Sequence, residues 1–293
     1  MNKADRRAII ALPIILLVAA LFAWAGSQGG YTVSGIPVFA LCVSLAFVLQ
    51  WIAFIPAFIL QTEKFYDLMG SITYISITLI AVLLSPVVDA RSWLLLAIIS
   101  IWTIRLGVFL LRRVLAAGED RRFRDIKPSF ARFLLTWTLQ GLWVSLTLAA
   151  ALAAITAMTR RDLGWIGLLG FLVWLIGFGI EVVADQQKSK FRADPQNAGK
   201  FINTGLWSWS RHPNYFGEIV LWIGVALIAV PVLAGWQWLT LISPLFVFIL
   251  LTRVSGVPML EKQADEKWGG QPEYEEYKAR TSALILRPPS AAS

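Results

Sequence analysis

The sequence predicts an all-α fold: a polytopic integral membrane helical bundle of about eight (seven to eight) transmembrane helices. Only 15% of the residues are charged and 57% are hydrophobic, whereas about a quarter of a soluble domain is charged. Several uninterrupted apolar runs also reach the length, about eighteen residues, that crosses a bilayer as a helix. These two observations exclude a soluble globular domain.

The apolar runs define the candidate spans in order along the chain. They cover residues 9–25, 36–60, 72–88, 93–111, 133–158, 163–184, 216–233 and 236–251. The third run is short for an unaided span. The last two form one apolar stretch broken near residues 231–235, so a hairpin and a single kinked element both fit, and seven spans remain an alternative. Beyond residue 251 the chain is amphipathic and predicts a cytoplasmic helical tail.

The positions of Lys and Arg predict the orientation. They concentrate at the N-terminus, after the fourth span, after the sixth span and in the tail. With eight spans, all four regions fall on the cytoplasmic side, where basic loops are favoured. The opposite loops are mostly neutral, apart from Arg160, Arg161 and Asp162. We therefore favour eight spans with both termini cytoplasmic. The net charge of +8 follows from this topology, and we expect no nucleic-acid partner.

Cysteine and histidine are each present once, as Cys42 and His212. A single cysteine forms no disulfide framework and no CxxC site. A single histidine without soft partner ligands does not make a metal site, so we expect no metal.

The stretch 177–218 gathers charged and amide residues between two apolar runs. Glu181 and Asp185, four residues apart, share one helical face. One reading is that they are solvated or paired with Lys188 and Arg192. The other is a nucleotide site, in which the acids accept hydrogen bonds from an amide or ribose and cations bind phosphates. Lys188, Lys190, Arg192 and Lys200 would supply the cations. Neither GxGxxG nor GxxxxGK[ST] is present, so a cofactor must be held by side chains between helix ends.

The most specific motif follows within the same stretch, over residues 203–218. Pro213 and Asn214 are typical of a helix start, with Asn as the cap. His212 and Tyr215 would flank that helix N-terminus, where anions are favoured. Trp207 and Trp209 fit an interfacial belt. A capped juxtamembrane helix does not explain four further residues together: Arg211, His212, Asn214 and Glu218.

Two features of the first half are candidates for chemistry. Glu63, Tyr66 and Asp67 are spaced to share one helical face. An acid beside a phenol can donate hydrogen bonds to a substrate carbonyl, although an interfacial aromatic with a solvated charge pair fits equally well. Arg105 lies within the fourth span, where arginine usually lines a cavity or binds an anion. It is also close enough to the span's end to reach the cytoplasmic face.

Together these motifs resemble the membrane-embedded steroid 5α-reductase family, most closely its bacterial branch. The resemblance covers roughly residues 63–287, in GIEVVADQQKSKFR, in NTGLWSWSRHPNYFGE, and in LLTRVSGVPMLEK followed by Tyr274 and Tyr277. The shorter RHPNYFGE also resembles isoprenylcysteine carboxyl methyltransferases and phospholipid methyltransferases, which bind S-adenosylmethionine. An S-adenosylmethionine-dependent membrane methyltransferase is therefore the alternative reading.

The resemblance implies NADPH held in the cytoplasmic half of the bundle, and an integral protein of a bacterial inner membrane. The family motif positions are Glu181, Asp185, Arg192, Asn214, Glu218 and Arg253, with Arg105 from the fourth span. We add the neighbouring Lys188, Arg211, His212 and Tyr215 to the cofactor-binding set. Val257 stands where vertebrate-type members have a histidine.

The resemblance also implies reduction of a carbon–carbon double bond conjugated to a ketone. Hydride passes to the β-carbon while a Glu–Tyr pair polarises the ketone oxygen. Glu63 fits the glutamate, but Trp102 stands in place of the family tyrosine, so we assign Tyr66, with Tyr74 in reserve. We expect one membrane reductase domain, with a substrate and catalytic half over 36–132 and a cofactor half over 163–287.

The partners implied are a lipophilic, steroid-like enone and membrane lipid, and we expect a monomer. A third reading, a small transporter or scaffold, is less favoured. Polar residues crowd one face of the membrane, whereas transport sites usually lie near the bilayer midplane.

Overall fold

The computed structural model describes residues 3–288, and most of them are helical. Within those residues, eight stretches of helix are long and apolar enough to cross a membrane. The predicted fold class, an all-α polytopic helical bundle, is confirmed. A two-stranded antiparallel hairpin, β1 (Thr32–Val33) with β2 (Ile36–Pro37), connects the first two helices.

The helices follow the predicted spans closely. Their bounds are α1 Lys3–Ser27, α2 Val38–Ile59, α3 Tyr66–Leu84, α4 Ala90–Ala117, α5 Phe130–Thr156, α6 Gly164–Ala193, α7 Pro213–Ala229, α8 Ile242–Ile249, α9 Val257–Trp268 and α10 Pro272–Arg280. The third helix begins six residues before its apolar run and so reaches 19 residues. The break near 231–235 consists of two 3₁₀ segments, Val230–Val232 and Gly235–Leu241. After α8 the chain continues through a π-helix at Leu250–Val254.

The chain forms two compact units. The first comprises the chain up to Gly167 together with Ile228–Ser243, and the second comprises Leu168–Leu227 and the chain from Pro244 onward. The second unit covers most of the predicted cofactor half, except that residues 163–167 and 228–243 belong with the first unit. The division into a catalytic half and a cofactor half remains a prediction.

The first unit is built around α5. Every residue from 144 to 157 is buried, as expected for a helix that is apolar on all sides. Helices α1, α2 and α3 pack against it. Buried polar side chains also join the helices: Gln50 of α2 donates to the hydroxyl of Thr73 of α3 at 2.8 Å. Such interhelical hydrogen bonds are favoured where no water competes.

The second unit is organised by close contact between α6 and α7. A Cβ atom added to Gly177 would lie 2.4 Å from the amide nitrogen of Leu221, and one added to Gly224 would lie 2.5 Å from that of Trp174. The two antiparallel helices therefore touch backbone to backbone, which only residues without a side chain permit. This contact fixes which residues meet at the ends of the helices.

The helical face expected for Glu63, Tyr66 and Asp67 is wrong, because Glu63 precedes the helix. Gln61, with a φ of 51°, ends α2, and the amide of Tyr66 donates to the carbonyl of Glu63 at 2.9 Å in a turn. Helix α3 begins only at Tyr66. The carboxylate is therefore placed by a turn and not by helical spacing.

Candidate cofactor site

The last turns of α6 carry a row of charged residues. The helix continues to Ala193, past the end of its apolar run, so Glu181, Asp185, Lys188 and Arg192 all lie on it. Their spacing of four, three and four residues places them on one face. Glu181 and Asp185 are buried, with 2% and 6% of their surface exposed, which does not fit freely solvated carboxylates.

The start of α7 meets this row. Helix α7 begins at Pro213, so Asn214 lies inside its first turn and the expectation that Asn214 caps the helix is wrong. Its side-chain amide instead donates to the carboxylate of Asp185 at 3.2 Å. Glu218 lies one turn further along the same face of α7. The structure thus brings the predicted acids and the amide of Asn214 together at the α6–α7 contact.

A cavity of about 270 Å³ lies beside this row, and we call it the cation cavity. Among the residues that the structure describes, five cationic side chains line it: Lys188, Arg192, Lys200, Arg211 and Lys267. Six aromatic side chains also line it: Phe191, Phe201, Trp207, Trp268, Tyr274 and Tyr277. Cationic side chains can bind phosphate oxygens, and aromatic rings can stack on a base. The lining of the cavity therefore suits a nucleotide.

One wall of the cation cavity is an aromatic cluster that the sequence did not reveal. The ring of Phe201 lies 5.9 Å from Trp268, 5.2 Å from Tyr274 and 5.3 Å from Tyr277. The ammonium of Lys188 lies 4.3 Å from the ring centre of Trp207. Burial raises the pKa of Tyr274 to about 12, and the nearby Asp265 adds to the effect. The phenol is therefore neutral and offers a hydrogen bond instead of a charge.

The sequence analysis missed Lys267 and Trp268 because they lie in the tail beyond residue 251, far along the chain from the stretch 177–218. Lys267 occupies the last turn of α9, and its ammonium lies 4.6 Å from the ring centre of Trp268. Phe201 was missed because a lone aromatic residue in a loop carries no motif.

Arg211 lines the cation cavity, but it binds protein groups. Its Nε and Nη2 atoms donate to the carboxylate of Glu261 at 3.1 and 2.9 Å. Its Nη1 atom donates to the carbonyl oxygens of Lys278 and Thr281 at 2.9 and 2.8 Å. This fork ties the loop before α7 to the tail. Tyr277 adds to the tie by donating to the carbonyl of Trp207 at 2.7 Å.

His212 and Tyr215 stand where the chain enters α7. Their rings stack with centroids 5.7 Å apart and planes inclined by 10°. His212 is 4% exposed, and its Nε2 atom lies 2.7 Å from the Oε1 atom of Glu261. The carboxylate of Glu261 therefore joins Arg211 and His212, two residues that the sequence analysis assigned to the cofactor-binding set.

Of the predicted cofactor residues, four line the cation cavity: Lys188, Arg192, Arg211 and His212. Arg253 lies in the π-helix of the second unit and is exposed. Arg105 belongs to α4 of the first unit, where its guanidinium lies 5.6 Å from the ring centre of Phe109. Among residues 3–288, no group of three His, Cys, Asp or Glu side chains is arranged to hold a metal ion.

The predicted catalytic glutamate belongs to the first unit. Glu63 is 3% exposed. Its carboxylate accepts a hydrogen bond from the amide of Asp120 at 2.8 Å and another from the ammonium of Lys127. Burial alone would raise the pKa of Glu63, but the bonds from Lys127 and Asp120 outweigh it and hold the pKa below its usual value. In this arrangement Glu63 is an ionised acceptor.

The predicted tyrosines are packed in the same unit. The hydroxyl of Tyr66 donates to the carbonyl of Thr136 at 3.0 Å, and its ring packs edge-on against Trp137 at 5.2 Å. Tyr74 packs edge-on against Trp102 at 5.4 Å. The side chains of Glu63 and Tyr66 thus bind other protein groups and not each other. Their catalytic pairing remains a prediction.

The fold and the cation cavity define a polytopic membrane protein with a cavity suited to a nucleotide. The family described as a protein of unknown function, DUF1295, matches residues 53–281, and the chain belongs to this family.

Relatives extend the comparison. A stretch of 87 residues is 34% identical to 3-oxo-5-alpha-steroid 4-dehydrogenase 1 of Rattus norvegicus, covering 29% of this chain and 31% of that protein. An uncharacterized protein of Schizosaccharomyces pombe is 27% identical over 201 residues, which cover 58% of this chain and 55% of the relative. The chain thus spans only part of the length of these relatives. The similarity confirms a steroid 5α-reductase-like family.

A shorter stretch of the chain is similar to a methyltransferase. A probable O-methyltransferase of Ustilaginoidea virens is 36% identical over 58 residues, which cover 20% of each chain. No solved structure matches the chain.

Proposed function

We propose that the protein is an NADPH-dependent reductase that saturates a carbon–carbon double bond conjugated to a ketone in a lipophilic, steroid-like substrate. One observation carries the proposal: among the described residues, five cationic side chains and six aromatic rings line a single cavity in a chain of a steroid 5α-reductase-like family. An apolar membrane protein has no structural need for such a cavity. Phosphates and a purine match its chemistry.

The size and charge of the cavity indicate which part of NADPH it would hold. About 270 Å³ lies just below the range of about 300–1,000 Å³ usual for drug-sized ligands. It therefore suits the adenosine end and its phosphates better than the whole dinucleotide. Lys188, Arg192, Lys200 and Lys267 would bind the pyrophosphate and the extra ribose phosphate. Arg211 would act indirectly, since its donors already hold Glu261 and the tail.

We propose that the polar residues where α6 meets α7 hold the rest of NADPH, namely the second ribose and the nicotinamide. Buried carboxylates beside an amide, as in Asp185 and Asn214, suit ribose hydroxyls and a carboxamide, which both donate hydrogen bonds. Glu181 and Glu218 extend this row along the two helices. Arg253 and Arg105 are included in the set by the family resemblance, and Tyr215 is included as a neighbour of Asn214.

Bound NADPH would supply the hydride that the β-carbon accepts. The chain's own task is to stabilise negative charge on the ketone oxygen in a dry site. We assign this task to Glu63 with Tyr66, and with Tyr74 as the alternative phenol. In the present arrangement the hydroxyl of Tyr66 donates to Thr136 and the carboxylate of Glu63 accepts from Lys127. The assignment thus requires a proton on Glu63 and its release from Lys127 when substrate binds.

The second candidate is a methyltransferase that uses S-adenosylmethionine. The similarity to the probable O-methyltransferase and the Arg211-His212-Pro213 sequence favour it. S-adenosylmethionine has no phosphate, however, and so gives no reason for the five cationic side chains that line one cavity. We therefore rank the reductase first.

The proposal includes the cellular setting. The eight apolar helices found among residues 3–288 and the membrane-enzyme relatives support an integral membrane protein. We place it as a monomer in a bacterial inner membrane, with both termini and the cation cavity on the cytoplasmic side, because basic loops favour that side.

The test is turnover by detergent-purified full-length protein given NADPH and a 3-oxo-Δ4 steroid, with the product examined for saturation of the ring double bond. Consumption of NADPH with formation of the saturated ketone is the expected result. Tight NADPH binding without turnover would retain the reductase and discard steroids as its substrates. Binding of S-adenosylmethionine instead of NADPH would move the assignment to the methyltransferase.

A further inference from the structure

His212 has one buried polar atom that the surrounding protein leaves unsatisfied. The residue lines the cation cavity and is 4% exposed. Its Nε2 atom lies 2.7 Å from Glu261, but its Nδ1 atom is buried and has no hydrogen-bond partner among residues 3–288. Buried polar atoms are nearly always hydrogen-bonded. Because His212 also lines a ligand-sized cavity, this unsatisfied atom belongs to a side chain that a bound ligand would contact.

The partner of Nε2 fixes the chemistry of Nδ1. Glu261 forms an ion pair with Arg211 through both carboxylate oxygens, so it can only accept hydrogen bonds. Nε2 must therefore carry the ring hydrogen, and Nδ1 of the neutral ring has a lone pair. Burial lowers the pKa of His212; the bond to Glu261 opposes this, while the nearby charges of Lys188 and Arg211 reinforce it. The ring is thus neutral near pH 7.

We propose that Nδ1 of His212 accepts a hydrogen bond from an N–H or O–H group in the adenosine half of the bound nucleotide. A lone pair repels phosphate oxygens, so His212 would direct the base and ribose to its own side of the cavity and leave the phosphates to the lysines and Arg192. The inference deepens the proposed function and rests on it. NADPH and S-adenosylmethionine share adenosine, so the same contact applies to both candidate cofactors.

Two matched variants separate this contact from the bond to Glu261. In His212→Asn, the side-chain amide lies near the position of Nδ1 and can still accept from the ligand. In His212→Gln, the amide lies near the position of Nε2 and can still donate to Glu261. Binding of NADPH to the purified full chain is followed by energy transfer from tryptophan. We expect His212→Asn to bind within about threefold of the wild type and His212→Gln to bind about tenfold more weakly, the effect of one hydrogen bond.

Two results would overturn the inference. Wild-type affinity in His212→Gln would show that Nδ1 contacts no ligand group. Equal losses in both variants would show that His212 only supports the loop. If either variant melts at a lower temperature than the wild type, the wild-type protein is tested with ligand analogues instead. The analogues remove the contact from the ligand's side and leave the protein unchanged.

The analogues identify the donor. Reduced deamino-NADPH has a carbonyl oxygen in place of the adenine amine, and a 3′-deoxy analogue lacks the free hydroxyl of the same ribose. If His212 contacts the amine, the wild type binds the deamino analogue about tenfold more weakly than NADPH. If it contacts the hydroxyl, the 3′-deoxy analogue shows that loss instead. Equal binding of NADPH and both analogues would contradict the inference.

If the protein is not an NADPH-dependent reductase, the binding measurements give a different pattern. A wild-type protein that binds S-adenosylhomocysteine but not NADPH contradicts the reductase, and the two variants are then compared with S-adenosylhomocysteine. A loss in His212→Gln alone would still support the contact with adenosine. Binding of neither nucleotide would overturn both proposals.

Discussion

Gly217 of α7 and Gly177 of α6 lie so close that a Cβ atom added to Gly217 would be 2.6 Å from the carbonyl oxygen of Gly177. The same atom would be 2.7 Å from the amide nitrogen of Glu181. Both neighbours are backbone atoms of a helix, so neither can turn aside. This contact holds Asn214 within 3.2 Å of Asp185, and the proposed cofactor row depends on it.

Gly217→Ala should therefore separate α6 from α7. We expect a loss of about 1–3 kcal/mol in the free energy of unfolding, the usual effect of overpacking, and weaker NADPH binding. Thermal melting in detergent measures the first and ligand titration the second. Gly179→Ala is the matched control, because a Cβ atom there meets nothing within 4 Å and alanine favours a helix. Equal melting of the two variants would show that the close contact is absent.

Arg211→Lys should release the tail although the positive charge remains. Lysine cannot reproduce the planar fork that binds Glu261 and two backbone carbonyls. Each hydrogen bond from the charged guanidinium that lysine leaves unmade contributes about 1.5–3 kcal/mol. We expect residues 270–287 to gain hydrogen–deuterium exchange and NADPH affinity to fall. An unchanged exchange pattern would contradict the role of Arg211 in holding the tail against the loop before α7.

Arg192→Ala should weaken NADPH binding about tenfold, the effect of losing a charge-assisted contact to phosphate. The loss should shrink as salt rises, because exposed charges are screened. Lys262→Ala is the control, since Lys262 is 78% exposed and pairs with Glu266 at 3.9 Å. If the affinity of Arg192→Ala equals that of this control, the phosphate assignment is wrong.

Glu63 should stabilise the first unit in a pH-dependent way. Its pKa in the folded state lies below the ordinary 4.5 because of Lys127 and Asp120. The carboxylate thus stabilises the fold fully above that ordinary pKa, and the contribution is lost as pH falls below it. Melting of wild type and Glu63→Gln should differ most near pH 7, and the difference should shrink as pH falls from the ordinary pKa of 4.5 through the lower pKa of the folded state. A difference that persists in acid would contradict the ion pair.

The same variant tests the catalytic assignment. A glutamine cannot replace a protonated acid that stabilises charge on the ketone, so we expect turnover by Glu63→Gln to fall about a hundredfold or more, while NADPH affinity is unchanged. Full turnover would assign the polarising role to another residue.

The sequence predicted what depends on local pattern. The apolar runs located the membrane helices, because crossing a bilayer requires a continuous apolar length. The charged row on α6 followed from helical spacing. The cap at Asn214 was predicted wrongly, because Pro213 itself takes the first helical position, where its missing amide hydrogen costs nothing.

Contacts between distant segments were beyond such patterns. Arg211 meets Glu261 fifty residues away, and Glu63 meets Lys127 sixty-four residues away. Any exposed acid on the tail would have suited Arg211 equally well by charge alone. The aromatic wall of Phe201 and Trp268 was invisible for the same reason, since only the folded tail brings the two rings together.

The proposed reductase requires that the cation cavity binds a phosphate-bearing dinucleotide. The most direct measurement is equilibrium binding of NADPH and of S-adenosylmethionine to the same purified full-length protein, repeated with Arg192→Ala. We predict that NADPH binds, that its affinity falls in the variant, and that S-adenosylmethionine does not compete. Binding of S-adenosylmethionine alone, with equal affinity in both proteins, would contradict it.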